Sequence, residues 1–212
     1  MALTFPPLTK ATVDAINFSE IYTNSDNNNL NFDLLYNNRE LLIELPELKI
    51  EALEHNIDSY YLICEILDEE SFDFLQLLNS KIIKHLSKKS KKWFRKKICF
   101  DISDIYNSNL LLPKNFTGYP RIKIRIPVKK GNILSKFFDS KGMRVSINDV
   151  KQHDEIGIIL SLNSIIFNQM VFNFDITLYQ SRKINTSTEM NLLTDSESDN
   201  EIILSEEKAL FE

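Results

Sequence analysis

Residues 120–128 read PRIKIRIPV, and they alternate without a break. Successive side chains of a strand point to opposite faces. Ile122, Ile124 and Ile126 therefore share one face, and Arg121, Lys123 and Arg125 share the other. If the isoleucines enter a core, the three cations form a row about 6–7 Å apart, near the phosphate spacing of an extended single strand. A solvated outer face on an ordinary strand is the competing reading. The neighbourhood favours binding, because Lys129, Lys130, Lys136, Lys141 and Arg144 follow with only Asp139 among them.

The charge pattern extends well beyond this strand. Residues 81–151 hold 19 of the 25 Lys and Arg but four acids, a net +15, so the rest of this −5 chain carries −20. The stretch 81–97, KIIKHLSKKSKKWFRKK, has nine basic residues and no acid. Lys88, Lys89, Lys91, Lys92 and Arg95 lie there, around Trp93 and Phe94. Such a segment also suits a nuclear localisation signal or an acidic membrane surface. The aromatic pair favours nucleic acid, since bases stack on aromatic rings, while the alternative role for both rings is to anchor the helix end in the core. Residues 194–212 hold seven acids against one Lys and end Leu210-Phe211-Glu212. A basic middle and an acidic tail suggest a protein that binds a polyanion and carries its own competitor for that site.

The same stretches place the elements. Residues 1–18, with Pro6-Pro7, read as an N-terminal arm. Runs 32–36 and 41–50 flank Asn37-Asn38, a hairpin signal, and Pro46 makes the second run an edge strand or puts a bulge in it. Residues 59–67 are another apolar run. Phe72, Leu75, Leu78, Ile82, Ile83 and Leu86 then recur at spacings of three and four, an amphipathic helix with acids in its first turn and lysines in its last. Strand-like pieces follow at 133–138, 143–147, 156–167 and 170–180, with turns at Gly131, Gly142 and Asn168-Gln169. From 185 to 212 the composition is too polar and acidic to bury a core and reads as disordered. The expectation is a mainly β chain: an OB-fold-like barrel over 19–184 with one inserted amphipathic helix, and a disordered acidic C-terminal tail.

Most aromatics of the later strands belong in a core. Alternation puts Phe172, Phe174 and Ile176 on one face, with Asn173, Asp175 and Thr177 on the other. Phe137 and Phe138 are adjacent, so one of them points outward near the basic row. The exclusions are clear. His55, His85 and His153 have no metal spacing, and Cys64 and Cys99 match no metal or disulfide pattern, so both read as buried thiols. No P-loop, dinucleotide fingerprint, nucleophile elbow or metalloprotease helix is present. Asp68, Glu69, Glu70 and Asp73 read as an acidic helix start rather than a magnesium site. An enzyme is not expected, nor a cofactor. No run approaches the roughly 20 apolar residues of a membrane helix, and no secretory signal is visible, so an intracellular place in a host cytoplasm or nucleus is expected. Abundant Asn, Ile, Lys and Phe beside four glycines suit an AT-rich genome.

Three runs together resemble a known family. They are LLIELPELKI, ILDEESFDFLQLLNSKIIKHLSKKSKKWFRKK, and the long run from YPRIKIRIPV through FFDSKG to SIIFNQMVFNFDITLYQ. Their order over about residues 30–184 is similar to the single-stranded DNA-binding proteins of T7-like phages, in the version found in large eukaryotic DNA viruses. The resemblance implies an OB-fold that binds single-stranded DNA without sequence preference, works in replication and recombination, and often dimerises through its acidic tail. It places Trp93, Tyr119, Arg121, Lys123, Arg125 and Phe138 in the groove. The chain departs from the pattern in having Ile166 where relatives tend to have Trp, Asn173 where they have Gly, and Glu212 after the final aromatic.

The expected partner is therefore single-stranded DNA, held by Lys88, Lys89, Lys91, Lys92, Trp93, Arg95, Tyr119, Arg121, Lys123, Arg125, Lys129, Lys130, Phe138, Lys141 and Arg144. Leu210 and Phe211 in the tail are expected to meet replication proteins. Two other readings fit the charge map: a duplex DNA- or RNA-binding viral transcription or terminus-recognition factor, and a virion or assembly interaction protein.

Overall fold

The computed structural model describes residues 5–25, 29–56, 59–93, 101–113 and 118–184. Helix α1 (Lys10–Ala15) leads into β1 (Ile16–Phe18) and the short β2 (Tyr22–Thr23). Both strands pair antiparallel with β3 (Leu30–Tyr36). The turn into β4 (Arg39–Asn56) is Asn37-Asn38, with φ of 52° and 59°, the left-handed pair that a two-residue hairpin requires. Next come β5 (Ser59–Ile66) and helix α2 (Glu69–Trp93). A short connection follows, made of α3 (Ile102–Ile105), β6 (Tyr106–Asn107) and β7 (Leu110–Leu111). The alternating segment is β8 (Arg121–Ile126). Two small pieces, β9 (Val128–Lys129) and β10 (Asn132–Ile133), form a hairpin, and β11 (Lys136–Phe138) pairs with β12 (Arg144–Val145). The body closes with β13 (Glu155–Asn168) and β14 (Val171–Lys183).

The long strands form a closed ring. In order they run β4, β5, β8, β14, β13 and back to β4. All neighbours in the ring are antiparallel except β8 and β14, which meet in parallel at Arg125 and Thr177. This is a five-stranded Greek-key barrel, the OB-fold plan, with α2 between its second and third strands. Its interior follows from period-two alternation. Ile122, Ile124 and Ile126 are buried, as are Leu62, Cys64 and Ile66 on β5 and Phe172, Phe174 and Ile176 on β14. Phe74, Leu75, Leu78, Ile82 and Leu86 carry the buried face of α2 into the same cluster.

Pro46 lies inside the ring rather than on an edge. The pairing of β4 with β13 slips between Leu45 and Leu48, so Pro46 sits in a bulge where it owes no ladder hydrogen bond. Gly157 lies opposite, and a Cβ there would stand 3.2 Å from the Pro46 carbonyl oxygen. The segment read as an arm is structured from Lys10 onward: Thr12, Val13 and Ile16 are buried, and Lys81 of α2 donates to the carbonyls of Val13 and Asp14. The acidic tail, 185–212, lies outside the described residues. No helix among the described residues is long and apolar enough to cross a membrane.

Candidate nucleic-acid interface

The outer wall of the barrel begins with β8. Because the isoleucines point inward, Arg121, Lys123 and Arg125 stand outward on every second residue. On β5 the same logic turns Tyr61, Ile63 and Glu65 outward, directly across from Arg125, Lys123 and Arg121. The Lys123 ammonium lies 4.6 Å from the centre of the Tyr61 ring, a cation–π contact. Next to them a cleft of about 510 Å³ is lined by Tyr61, Lys123, Arg125, Asn107, Asn109 and Asn173, among others. A basic row beside an aromatic ring and amide side chains can hold phosphates and a stacked base.

The row is not free. Arg121 is 2.7 Å from Glu51, Lys123 is 2.6 Å from Glu54, and Arg125 grips both oxygens of Asp175. The pairs differ in how firmly they are built. Glu51 and Glu54 are 36% and 43% exposed and the cations facing them 38% each, so these are solvated pairs that contribute little stability and can be displaced. Asp175 is 15% exposed and also accepts from Asn163, which bonds Thr177 as well. Ser161 links Asn163 to Glu40, and this chain of polar groups fixes Arg125 in place.

The other residues singled out in the sequence are spread around the molecule. Tyr119 is exposed, one residue ahead of Pro120 at the start of β8. Lys129 and Lys130 are exposed in the hairpin after β8, where Lys130 and Gly131 take positive φ. Lys141 is exposed at the Gly142 turn, and Arg144 pairs across from Phe138. Of the two adjacent phenylalanines, Phe137 is buried and Phe138 half-buried. Phe138 shares a cleft of about 310 Å³ with Asp139, Asp149, Asp154, Lys151 and Lys183, of which Asp154 and Lys183 pair at 2.9 Å. Trp93 is half-buried, its ring 5.3 Å from Phe32 and 6.1 Å from His85, so packing holds it against the core. Lys88 and Lys89 stay on the surface of α2. The side chains of Lys91 and Lys92, and Arg95, Leu210 and Phe211, lie outside the described residues.

Four residues of the wall escape the reading of the row as a free cationic strip: Tyr61, Glu51, Glu54 and Asp175. Tyr61 was legible in SYYLICEIL, where inward Leu62, Cys64 and Ile66 force Tyr61 out. Asp175 was legible as outward by the same alternation. Glu51 was not, because a register shift between Ile50 and Ala52 re-aims it. Burial pushes the Cys64 thiol up to about 12, so it stays protonated and unreactive. Among the described residues no group of three His, Cys, Asp or Glu is placed to hold a metal ion.

No family model matches the chain, and no curated protein matches it. Among solved structures it is similar to the single-stranded DNA-binding protein from bacteriophage Enc34. Against that protein in complex with single-stranded DNA the TM-score is 0.48 at 10% identity, covering 73% of this chain and 90% of the other. Against its C-terminal truncation the TM-score is 0.47 at 9% identity, covering 82% and 96%. A third structure of the phage protein gives 0.49 at 9% identity, covering 79% of this chain and 91% of the other.

Proposed function

We propose that the chain is a non-enzymatic protein that binds single-stranded DNA without sequence preference during replication or recombination of a viral or virus-like DNA genome. The observation that carries this reading is the outer wall of the barrel, where Arg121, Lys123 and Arg125 stand in line beside Tyr61 and an open cleft. Phosphates track the row, Tyr61 offers a ring to a base, and the basic hairpin at Lys129 and Lys130 continues the path past the end of β8. Readout of sequence is not needed, because every base presents a face to stack. The acidic tail competes for the wall or meets replication proteins through Leu210 and Phe211. The resemblance read in the sequence supports the same function.

A second reading, an interaction module of a virion or assembly, is favoured by one observation: carboxylates already neutralise the row. Fluorescence anisotropy with oligo-dT and with duplex DNA of equal length separates the readings. Single-strand binding predicts a preference for oligo-dT that weakens steeply with salt. Preference for the duplex, or binding to neither, contradicts the proposal.

A further inference from the structure

A second cleft, of about 590 Å³, opens between α1, β1 and the middle of α2. Lys10, Lys81, Lys84, His85 and Lys88 line it against one carboxylate, Asp14. Lys81, Lys84 and Lys88 are three and four positions apart, so α2 turns them to one side, and Lys10 reaches the same space from the first turn of α1. Lys81 is committed: its ammonium donates to the carbonyls of Val13 at 2.7 Å and Asp14 at 2.8 Å, which ties α1 to α2. Lys10, Lys84 and Lys88 make no ion pair among the described residues.

The floor of the cleft is apolar and aromatic. Val13 and Ile16 are buried, and the Phe18 ring lies 4.0 Å from that of His85. Burial, and after it Lys89, Lys88 and Lys81, hold the His85 imidazole below its ordinary pKa, with Glu20 pulling the other way. The cleft is thus a concave surface with unbalanced positive potential, the arrangement that concentrates an anion. The barrel wall differs, since each cation of its row already faces a carboxylate.

We infer that this cleft is a phosphate subsite for the flank of the bound single strand, an extension of the path beyond the barrel wall that rests on the proposed function. The cleft belongs to the β1–β3 side of the sheet and the wall to β5, β8 and β14, so only a strand long enough to leave the wall and wrap the barrel meets Lys10, Lys84 and Lys88. Lysine suits the task because a point charge on a flexible stem follows a backbone without fixing its register.

The test is a Lys10→Ala/Lys84→Ala variant of the full chain. Both positions are exposed, and neither belongs to the wall. Binding is measured against salt with oligo-dT of about 8 nucleotides, which the wall alone can hold, and of about 25 nucleotides, which reaches further. The inference predicts unchanged binding of the short strand. For the long strand the logarithmic salt slope should fall by about 1.4 units, at about 0.7 per lost phosphate contact. A Lys10→Arg/Lys84→Arg variant should restore it. An unchanged slope for the long strand in a folded variant overturns the subsite and leaves the proposed function standing. Equal loss for both lengths also overturns it, since the cleft would then be the main path. A parent chain that binds neither strand overturns both.

Discussion

In the proposed DNA complex, Glu51 and Glu54 limit how much of the basic row a polyanion meets, because each already pairs with one of its cations. Each carboxylate stands where a phosphate oxygen would stand, within 2.7 Å of its cation. On the proposed function, a strand entering the wall exchanges carboxylate for phosphate. That exchange is feasible because solvated ion pairs contribute only about 0–1 kcal/mol. Glu51→Gln/Glu54→Gln removes the built-in competitors while keeping the shape. Oligo-dT affinity at low salt should rise about tenfold, from roughly 0.7 kcal/mol at each site. Titration of the parent and double variant under identical salt checks this, and a folded double variant with weaker binding would mean that the carboxylates orient the cations for DNA. The row itself was legible from RIKIRI, because inward isoleucines dictate outward cations. Its neutralisation was not, since Glu51 and Glu54 lie about 70 positions away and meet the row only through the pairing of β4, β5 and β8.

Helix α2 shows how local signals and distant packing share the work. Its apolar spacing and its acidic start and basic end are visible in the sequence. What fixes its position is not. Tyr106 donates to Asn79, Asn79 donates to Ser108, and Lys81 caps α1, all contacts with segments that carry no periodic signal. Helix α1 itself, six residues after two prolines, is too short to show a period and forms because α2 covers it. The start of α2 depends on Asp68, whose carboxylate accepts from the backbone N–H and hydroxyl of Ser71. Partial burial works against the charged form, but these hydrogen bonds outweigh it and hold the Asp68 pKa below its ordinary value. The cap therefore stabilises the fold fully above the unfolded carboxylate pKa, near 3.9, and fades as pH falls through the lower folded value. Asp68→Ala should cost about 1 kcal/mol in urea unfolding at neutral pH. The difference should shrink at a second, acid pH below the ordinary carboxylate value. An equal loss at both pH values would mean that the charge of Asp68 plays no part.

Closure of the barrel and the distribution of charge belong to the chain as a whole. The long strands of the ring and the inserted helix could be read from alternation and period, while short strands such as β1, β2, β6 and β7 could not. A barrel was the expected outcome of that order of strands and helix; what could not be read is how it closes, through one parallel meeting, Arg125 beside Thr177, and through slips in β13 that let it pair with β4 and β14 together. The charge sorting was plain: +15 over 81–151 against seven acids and one Lys over 194–212. If that acidic segment competes for the cationic surfaces, cutting the chain after Asn191 should raise oligo-dT affinity severalfold at about 50 mM salt. The gain should shrink as salt screens both partners. Weaker binding by the shortened chain at low salt would reverse the assignment and give the segment a role in stability or dimer contact.

The claim that the barrel wall tracks phosphates is tested most directly by the salt slope of an Arg121→Ala/Lys123→Ala/Arg125→Ala variant with oligo-dT. Ile122, Ile124 and Ile126 remain buried in that variant, so it should fold. The logarithmic slope should be shallower by about two units, from three lost phosphate contacts at about 0.7 each. A folded triple variant with the parent's slope would contradict the claim.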